Sequence, residues 1–285
     1  MPASSYGFEV GSIRCTVLTE GYFSYPAAWF FPSADPDELS RAFEGHRLPR
    51  EQVLSPYTCL LIETGSHVVL VDAGAGLHGP AGGAIVARLW TAGIRPRDID
   101  TVIFTHAHPD HIGGAVNSSG RPVFSNARHV LAELEWDLWM TGCADLRRLR
   151  VPCGVRDSMR ATARQCLHSL RFQTEPIAGE SEIAPGVRAI SAPGHTPGHL
   201  AVLISSEGQH LLNLGDAAVH PLHLEEPAWE NGLDLAAAKA VATRRALMER
   251  AVAERMHVMA FHFPFPSVGR VTPRMEGGWR WTPGW

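Results

Sequence analysis

The sequence predicts a layered fold mixing strands and helices in a single domain over residues 1–285, and three observations carry that reading. Short apolar, strand-like segments alternate with amphipathic helical ones. Polar residues close those apolar runs repeatedly, at Asp72, His106, His195, Asp216 and His262. No repeat, charge block or low-complexity linker divides the chain. In layered folds the carboxyl ends of strands are where sites gather, so these residues are expected to converge.

Taken in order, "IRCTVLTE" reads as the opening strand, and residues 21–49 as an aromatic-rich excursion, "GYFSYPAAWFFPSADPDELSRAFEGHRLP". "TCLLIET" and "HVVLVDAG", separated by "GS", form a hairpin ending at Asp72. "GAIVARLWTAG" has helical spacing and closes on Gly93. "DIDTVIFT" is a short buried strand, residues 155–170 suit a helix, and "GVRAISAP" is a strand leading into "GHTPGH". "HLAVLISSEGQHLLNLGDA" is a second hairpin, turning near Glu207 and Gly208. "DLAAAKAVATRRALMERAVAE" is a long amphipathic helix with Asp234 as its expected N-cap. "MHVMAFHF" is the expected final strand, carrying His262.

Composition narrows the function. A net charge of −4, with 25 basic residues spread among 29 acidic ones, gives no basic footprint for nucleic acid. The short "LRRLR" cluster at 146–150 reads as a solvated helix face. No run of about 18 apolar residues is present to span a membrane, and the N-terminus shows no secretory pattern. The five cysteines are scattered without a CxxC pair, as expected of reduced thiols in a cytoplasmic protein. The aromatic excursion is expected to serve either as pocket wall or as the interface of a homodimer.

The chemistry concentrates in "IFTHAHPDHIGG", residues 103–114. Neutral imidazole is the commonest protein ligand for zinc, and carboxylate oxygen also serves. On an extended segment alternate side chains point the same way, so His106 and His108 can grip one ion. Beyond Pro109 the chain must turn, which aims Asp110 and His111 elsewhere, toward a second ion. Gly113 and Gly114 let backbone pass closely beside the site. "APGHTPGH" adds His195 and His199, "LNLGDA" adds Asp216, and "AFHFPFP" adds His262. Two cations about 3.5–4 Å apart need a bridging oxygen, terminal donors and open positions, and this set meets that need without sulfur. Coordination can lower the pKa of bound water to about 7, so the expected nucleophile is a metal-bridging hydroxide.

In that order, "THAHPDH", "GHTPGH", "LGDA" and "HFPFP" resemble the metallo-β-lactamase superfamily, from about residue 13 to the C-terminus. The resemblance implies an α+β fold, a four-layer αβ/βα sandwich with the metals at one edge between two sheets. It assigns His106, His108 and His195 to the first metal, Asp110, His111 and His262 to the second, and Asp216 to both. It makes Asp110 the catalytic residue that orients the hydroxide and relays a proton. Asp72 and His199 are then supporting residues behind the ligands. The cofactor is two divalent ions, expected to be Zn²⁺, with Mn, Fe or Co able to occupy the same donors.

Flavo-diiron relatives carry Glu where this chain has His108, and nuclease members carry basic surface or additional domains. "VLVDAGAGLHGPAGG", "WDLWM" and "GGWRWTPGW" are similar to the methyl parathion hydrolase and quorum-quenching lactonase group. Two departures stand out. Acyl-homoserine lactonases place Tyr where this chain has Val219, followed by His220, and organophosphate hydrolases place an aromatic at His78. The leading expectation is a hydrolase of small, fairly apolar esters, lactones first. An organophosphate triester or arylester hydrolase is the alternative at the same centre, and a non-catalytic, metal-stabilised binding protein is the alternative of another class. Trp139, His220 and Phe265 are the expected substrate-pocket residues.

Overall fold

A strand such as "TCLLIE" is apolar at nearly every position, so both of its faces must be covered. The computed structural model, which describes residues 4–49, 51–78, 83–142 and 145–285, covers them with two seven-stranded sheets. The first sheet follows chain order: β1 (Ser5–Val10), β2 (Ile13–Pro26), β3 (Gln52–Glu63), β4 (Val68–Val71), β5 (Thr101–Ile103), β6 (Arg128–Ala132) and β7 (Thr174–Ile177). β1 to β4 pair antiparallel and β4 to β7 parallel. The second holds β8 (Ser181–Ala184), β9 (Val187–Ser191), β10 (Leu200–Ser206), β11 (Gln209–Asn213), β12 (His257–Met259), β13 (Val268–Pro273) and β14 (Trp279–Pro283). Only β11 and β12 pair parallel in it. The helices are α1 (Ala27–Phe30), α2 (Pro36–Gly45), α3 (Ile85–Thr91), α4 (Pro109–Ile112), α5 (Glu133–Met140), α6 (Cys153–Leu170), α7 (Leu222–Glu225) and α8 (Ala237–Ala253).

Strand periodicity sorts the core into layers. Leu60, Ile62, Val69, Val71 and Ile103 point inward to meet Val202, Ile204, Leu211 and Met259 of the other sheet. The alternate residues Cys59, Leu61, Leu70 and Val102 point outward against α3 and α6, through Leu89, Met159 and Leu167. Ala201, Leu203, Leu212 and Val258 face α8, at Leu247 and Met248. The result is the expected four-layer αβ/βα sandwich. Among the described residues no helix is long and apolar enough to cross a membrane.

Several expectations change. A strand, β1, precedes "IRCTVLTE", and β13 and β14 follow "MHVMAFHF", whose His262 lies beyond the end of β12. The first part of the excursion is strand: β2 runs on to Pro26, pairing Tyr22 with Pro56 and Phe23 with Ser55. α1 and α2 follow, and Asp35 caps α2 by accepting the Asp37 and Glu38 N–H groups at 3.0 and 3.1 Å. In "LRRLR", Leu146 and Leu149 are buried while Arg147 and Arg148 face solvent on a short 3₁₀ turn. Asp234 does not cap α8, whose N-cap is Ala236 with no side-chain bond; its carboxylate is drawn instead to His195. Cys15, Cys59 and Cys166 are buried free thiols and Cys153 an exposed one, while Cys143 lies outside the described residues.

Candidate metal centre

β5 ends at Ile103 and α4 begins at Pro109, with His108 in extended conformation as its N-cap. That short turn presents His106 and His108 on one side, their ring centroids 4.4 Å apart, and passes Asp110 and His111 to the first turn of α4. The turn packs against the loop after β4 with almost no clearance. A Cβ on Gly113 would lie 2.4 Å from the Ala75 carbonyl oxygen, and one on Gly114 2.0 Å from that of Ala73. Close approach, as the sequence implies, is what these glycines permit.

The loops after β9, β11 and β12 bring His195, Asp216 and His262 to the same point. Asp216 is central: Oδ2 lies 3.4 Å from Nε2 of both His195 and His262, and Oδ1 lies 3.4 Å from Nε2 of His111. His106 Nε2 is 3.9 Å from Asp216 Oδ2. Asp110 Oδ2 is 3.3 Å from His262 Nε2. Three donor groups result, His106–His108–His195, His106–His111–Asp216 and Asp110–His111–His262, each with ligand atoms within 4.8 Å of one another. All seven residues predicted from the motifs therefore meet.

Behind them, further groups fix ring orientation, the usual arrangement around metal-binding imidazoles. His111 Nδ1 donates to Asp72 at 2.8 Å, and Asp72 also accepts from the Thr105 N–H at 2.8 Å. Asp72 holds φ 59°, a left-handed conformation that Asp tolerates better than most residues. His195 Nδ1 donates to Asp234 at 2.9 Å. His262 Nδ1 sits 2.8 Å from Ser55 Oγ and 3.2 Å from the Pro56 carbonyl oxygen. His199 is fully employed elsewhere: Nδ1 donates to the Ala192 carbonyl at 3.1 Å, and Nε2 accepts from the Asp216 N–H at 2.9 Å. It positions Asp216 and has no nitrogen left for a ligand.

Electrostatics suit a cation. Burial first, then neighbouring imidazoles, hold His106 and His108 well below the ordinary histidine value. Burial opposes charge on His262, but Asp216 and Asp110 outweigh it and lift its pKa to about 9. Burial would equally neutralise Asp216, yet His262 and His111 keep it ionised, well below the usual carboxylate range. The fit of a metal pair rests on a plainer observation. Nε2 of His106 and His111 and Oδ1 of Asp216 are buried without a hydrogen-bond partner, and Nδ1 of His108 faces Nε2 of His195 at 3.0 Å. Buried polar atoms are normally paired, and here lone-pair donors converge on one another instead, the chemistry of a cation site.

One supporting residue carries no motif and escaped the sequence reading. Glu135, on α5 and fully buried, accepts from the Ala107 N–H at 3.0 Å, the Trp139 indole at 2.7 Å and the Thr196 hydroxyl. It thus ties the His106–His108 turn to the His195 loop. A buried acid in "ELEW" was the available signal, but only contacts distinguish it from an exposed helical Glu.

A cavity of about 380 Å³ opens onto the centre, with Asp110, Asp216, His108 and His262 on its floor. Tyr25, Trp29 and Phe30 of the aromatic excursion form one wall and Val155 and Met159 of α6 another. Val219 lines it too. The three expected pocket residues do not. Trp139 is buried beneath His108, ring centroids 5.8 Å apart, because its indole is committed to Glu135. Phe265 packs against the core between the sheets. His220 is buried against Phe31, accepting the Leu222 N–H at 3.2 Å. The side chain of His78 lies outside the described residues.

These supports yield a direct test. Asp72→Asn would turn an amide donor toward His111 Nδ1, favouring the tautomer that protonates Nε2, the atom aimed at the centre. Metal affinity is expected to fall roughly 10–100-fold, seen as a drop in metal per chain under limiting metal, with little change in secondary structure.

Comparisons with known proteins bear on the family and the fold. An N-acyl homoserine lactonase of Bacillus cereus is 27% identical over 179 residues, 56% of this chain and 62% of that protein. The matched segment therefore spans under two thirds of that relative's length. The lactonase of Bacillus thuringiensis is 26% identical over 201 residues, 63% of this chain and 70% of its own. Among solved structures, the dizinc quorum-quenching lactonase AidC, in complex with a product N-hexanoyl-L-homoserine, superposes with a TM-score of 0.92 at 23% identity, covering 99% of this chain and 98% of AidC. The hydrolase AbOPH gives 0.90 at 22% identity, covering 100% and 99%. At those identities the structures speak for the fold. The model of the metallo-beta-lactamase superfamily matches residues 54–252, most of the chain and every donor but His262, and the chain belongs to that superfamily.

Proposed function

We propose that the chain is a dinuclear metal-dependent hydrolase of small, fairly apolar esters, with lactones the favoured class. The observation that carries this reading is the convergence of seven His and Asp donors, Asp216 central among them, on the floor of an apolar cavity. His106, His108 and His195 would hold one cation, Asp110, His111 and His262 the other, with Asp216 shared. When bound, such a pair supplies Lewis acidity and makes water acidic enough to give hydroxide near neutral pH.

The chain's own residues supply the rest. Trp29, Phe30, Val155 and Met159 give an acyl group an apolar surface and exclude bulk water. Asp110 is the most open of the seven donors, its side chain 17% exposed, and faces the cavity. Its carboxylate can take a proton from the attacking water and return it to the leaving oxygen. Asp72, Asp234 and His199 hold the donor set so that neither step requires it to rearrange. The likeness to N-acyl homoserine lactonases supports lactones as first choice.

The test is a panel of acyl lactones, aryl esters and phosphotriesters, run on protein of measured metal content. Two metals per chain and lactone turnover that chelation abolishes and metal restores are expected. Lactone cleavage no faster than background would remove the lactonase reading, and faster phosphotriester turnover would replace it. Bound metal with no turnover of any ester would leave a metal-stabilised binding protein.

A further inference from the structure

The apolar wall of the cavity contains one polar pair. Tyr25, from the extended end of β2, and Tyr57, from β3 beside it, both line the cavity and are hydrogen-bonded hydroxyl to hydroxyl. Both rings stand edge-on to His262, with centroids 6.3 and 5.5 Å from it. An ordinary phenol titrates at about pH 10, so both hydroxyls carry their protons at neutral pH. Two hydroxyls sharing one hydrogen bond use only one of their two protons. Among the described residues the pair has no other hydrogen-bond partner, so the second O–H is free, and accepting a bond polarises it further.

We propose that the Tyr25–Tyr57 pair is a substrate-contacting donor whose free O–H binds the leaving oxygen of the ester. This rests on the hydrolase reading above. In the reaction, water adds its oxygen to the carbonyl carbon. The C–O bond then breaks with its electron pair on the leaving oxygen, which takes the proton relayed by Asp110. The phenol keeps its own proton and stabilises the negative charge gathering on that oxygen. Such a donor matters most where the leaving alcohol is a poor one, as in a lactone, and least for a 4-nitrophenyl ester, whose leaving oxygen already spreads its charge.

The experiment compares Tyr25→Phe, Tyr57→Phe and the double variant on an acyl lactone and on a 4-nitrophenyl ester. Metal content and Tm are measured alongside. In the double variant kcat on the lactone is expected to fall about 100-fold, as on loss of one oxyanion donor, and kcat on the nitrophenyl ester by less than a tenth as much. Each single variant should fall between, because the remaining phenol still carries one proton. Equal losses on both substrates, or no loss, would overturn the proposal while leaving the hydrolase reading intact. Wild-type protein with two metals that cleaves neither ester would overturn both.

Discussion

Replacing Asp216 by alanine is expected to abolish both the paired metal binding and the ester hydrolysis proposed for this centre. No other donor approaches so many partners: its two oxygens lie 3.4 Å from the Nε2 atoms of His111, His195 and His262. Without that carboxylate, three imidazoles crowd a buried space with one fewer negative charge to offset a pair of cations. Metal per chain should fall from two toward one or none, and the rate by more than the roughly 10–100-fold typical of losing a supporting partner. Elemental analysis and the lactone assay measure the two effects separately. Retained stoichiometry in Asp216→Ala would mean that this carboxylate is not shared between the ions. Asp110→Asn makes a useful contrast, because the amide keeps an oxygen for coordination while losing the proton relay. It should keep more metal than Asp216→Ala and still lose rate.

The second large effect concerns Glu135. Alanine there leaves the Ala107 N–H, the Trp139 indole and the Thr196 hydroxyl without their acceptor. A buried unsatisfied donor costs about 1–3 kcal/mol, and each kcal/mol lowers Tm by roughly 2–4 °C in a large domain. A melting point depressed by several degrees is therefore expected, together with weaker metal binding, since the segments bearing His106, His108 and His195 lose their tie. Glu135→Gln should recover much of the loss. Its amide oxygen can still accept from Ala107 and Trp139, and the Thr196 hydroxyl can rotate to accept from the new NH₂. An alanine variant with unchanged Tm and metal content would show the tie to be unimportant.

Supporting residues were unevenly legible, for a physical reason. Asp72 stood out because it closes an apolar strand, and the family resemblance supplied its supporting role. Glu135 sits on a helix among Glu133, Leu134 and Trp136, where nothing local separates a buried acid from a solvated one. Asp234 misled, because Asp ahead of an alanine-rich helix is an ordinary cap. The pull of His195 overrode that local preference, and α8 starts later without a side-chain cap. Trp139 misled in the same way: a large aromatic near a metal motif looks like pocket lining until its indole is seen bound to Glu135.

From sequence alone came the layered architecture, the family resemblance and all seven donors. Ligand chemistry demands particular residue types at close spacing after buried strands, and such patterns are written locally. Tertiary structure alone decided that Glu135 and Asp234 also stand behind those donors, which residues face the cavity, and that Tyr25 and Tyr57 meet. Those relations join positions far apart in the chain, such as Glu135 with Thr196 or His262 with Ser55. Strand pairing within the first sheet brings Tyr25 to Tyr57, and the packing of the two sheets, not any local preference, sets the other distances.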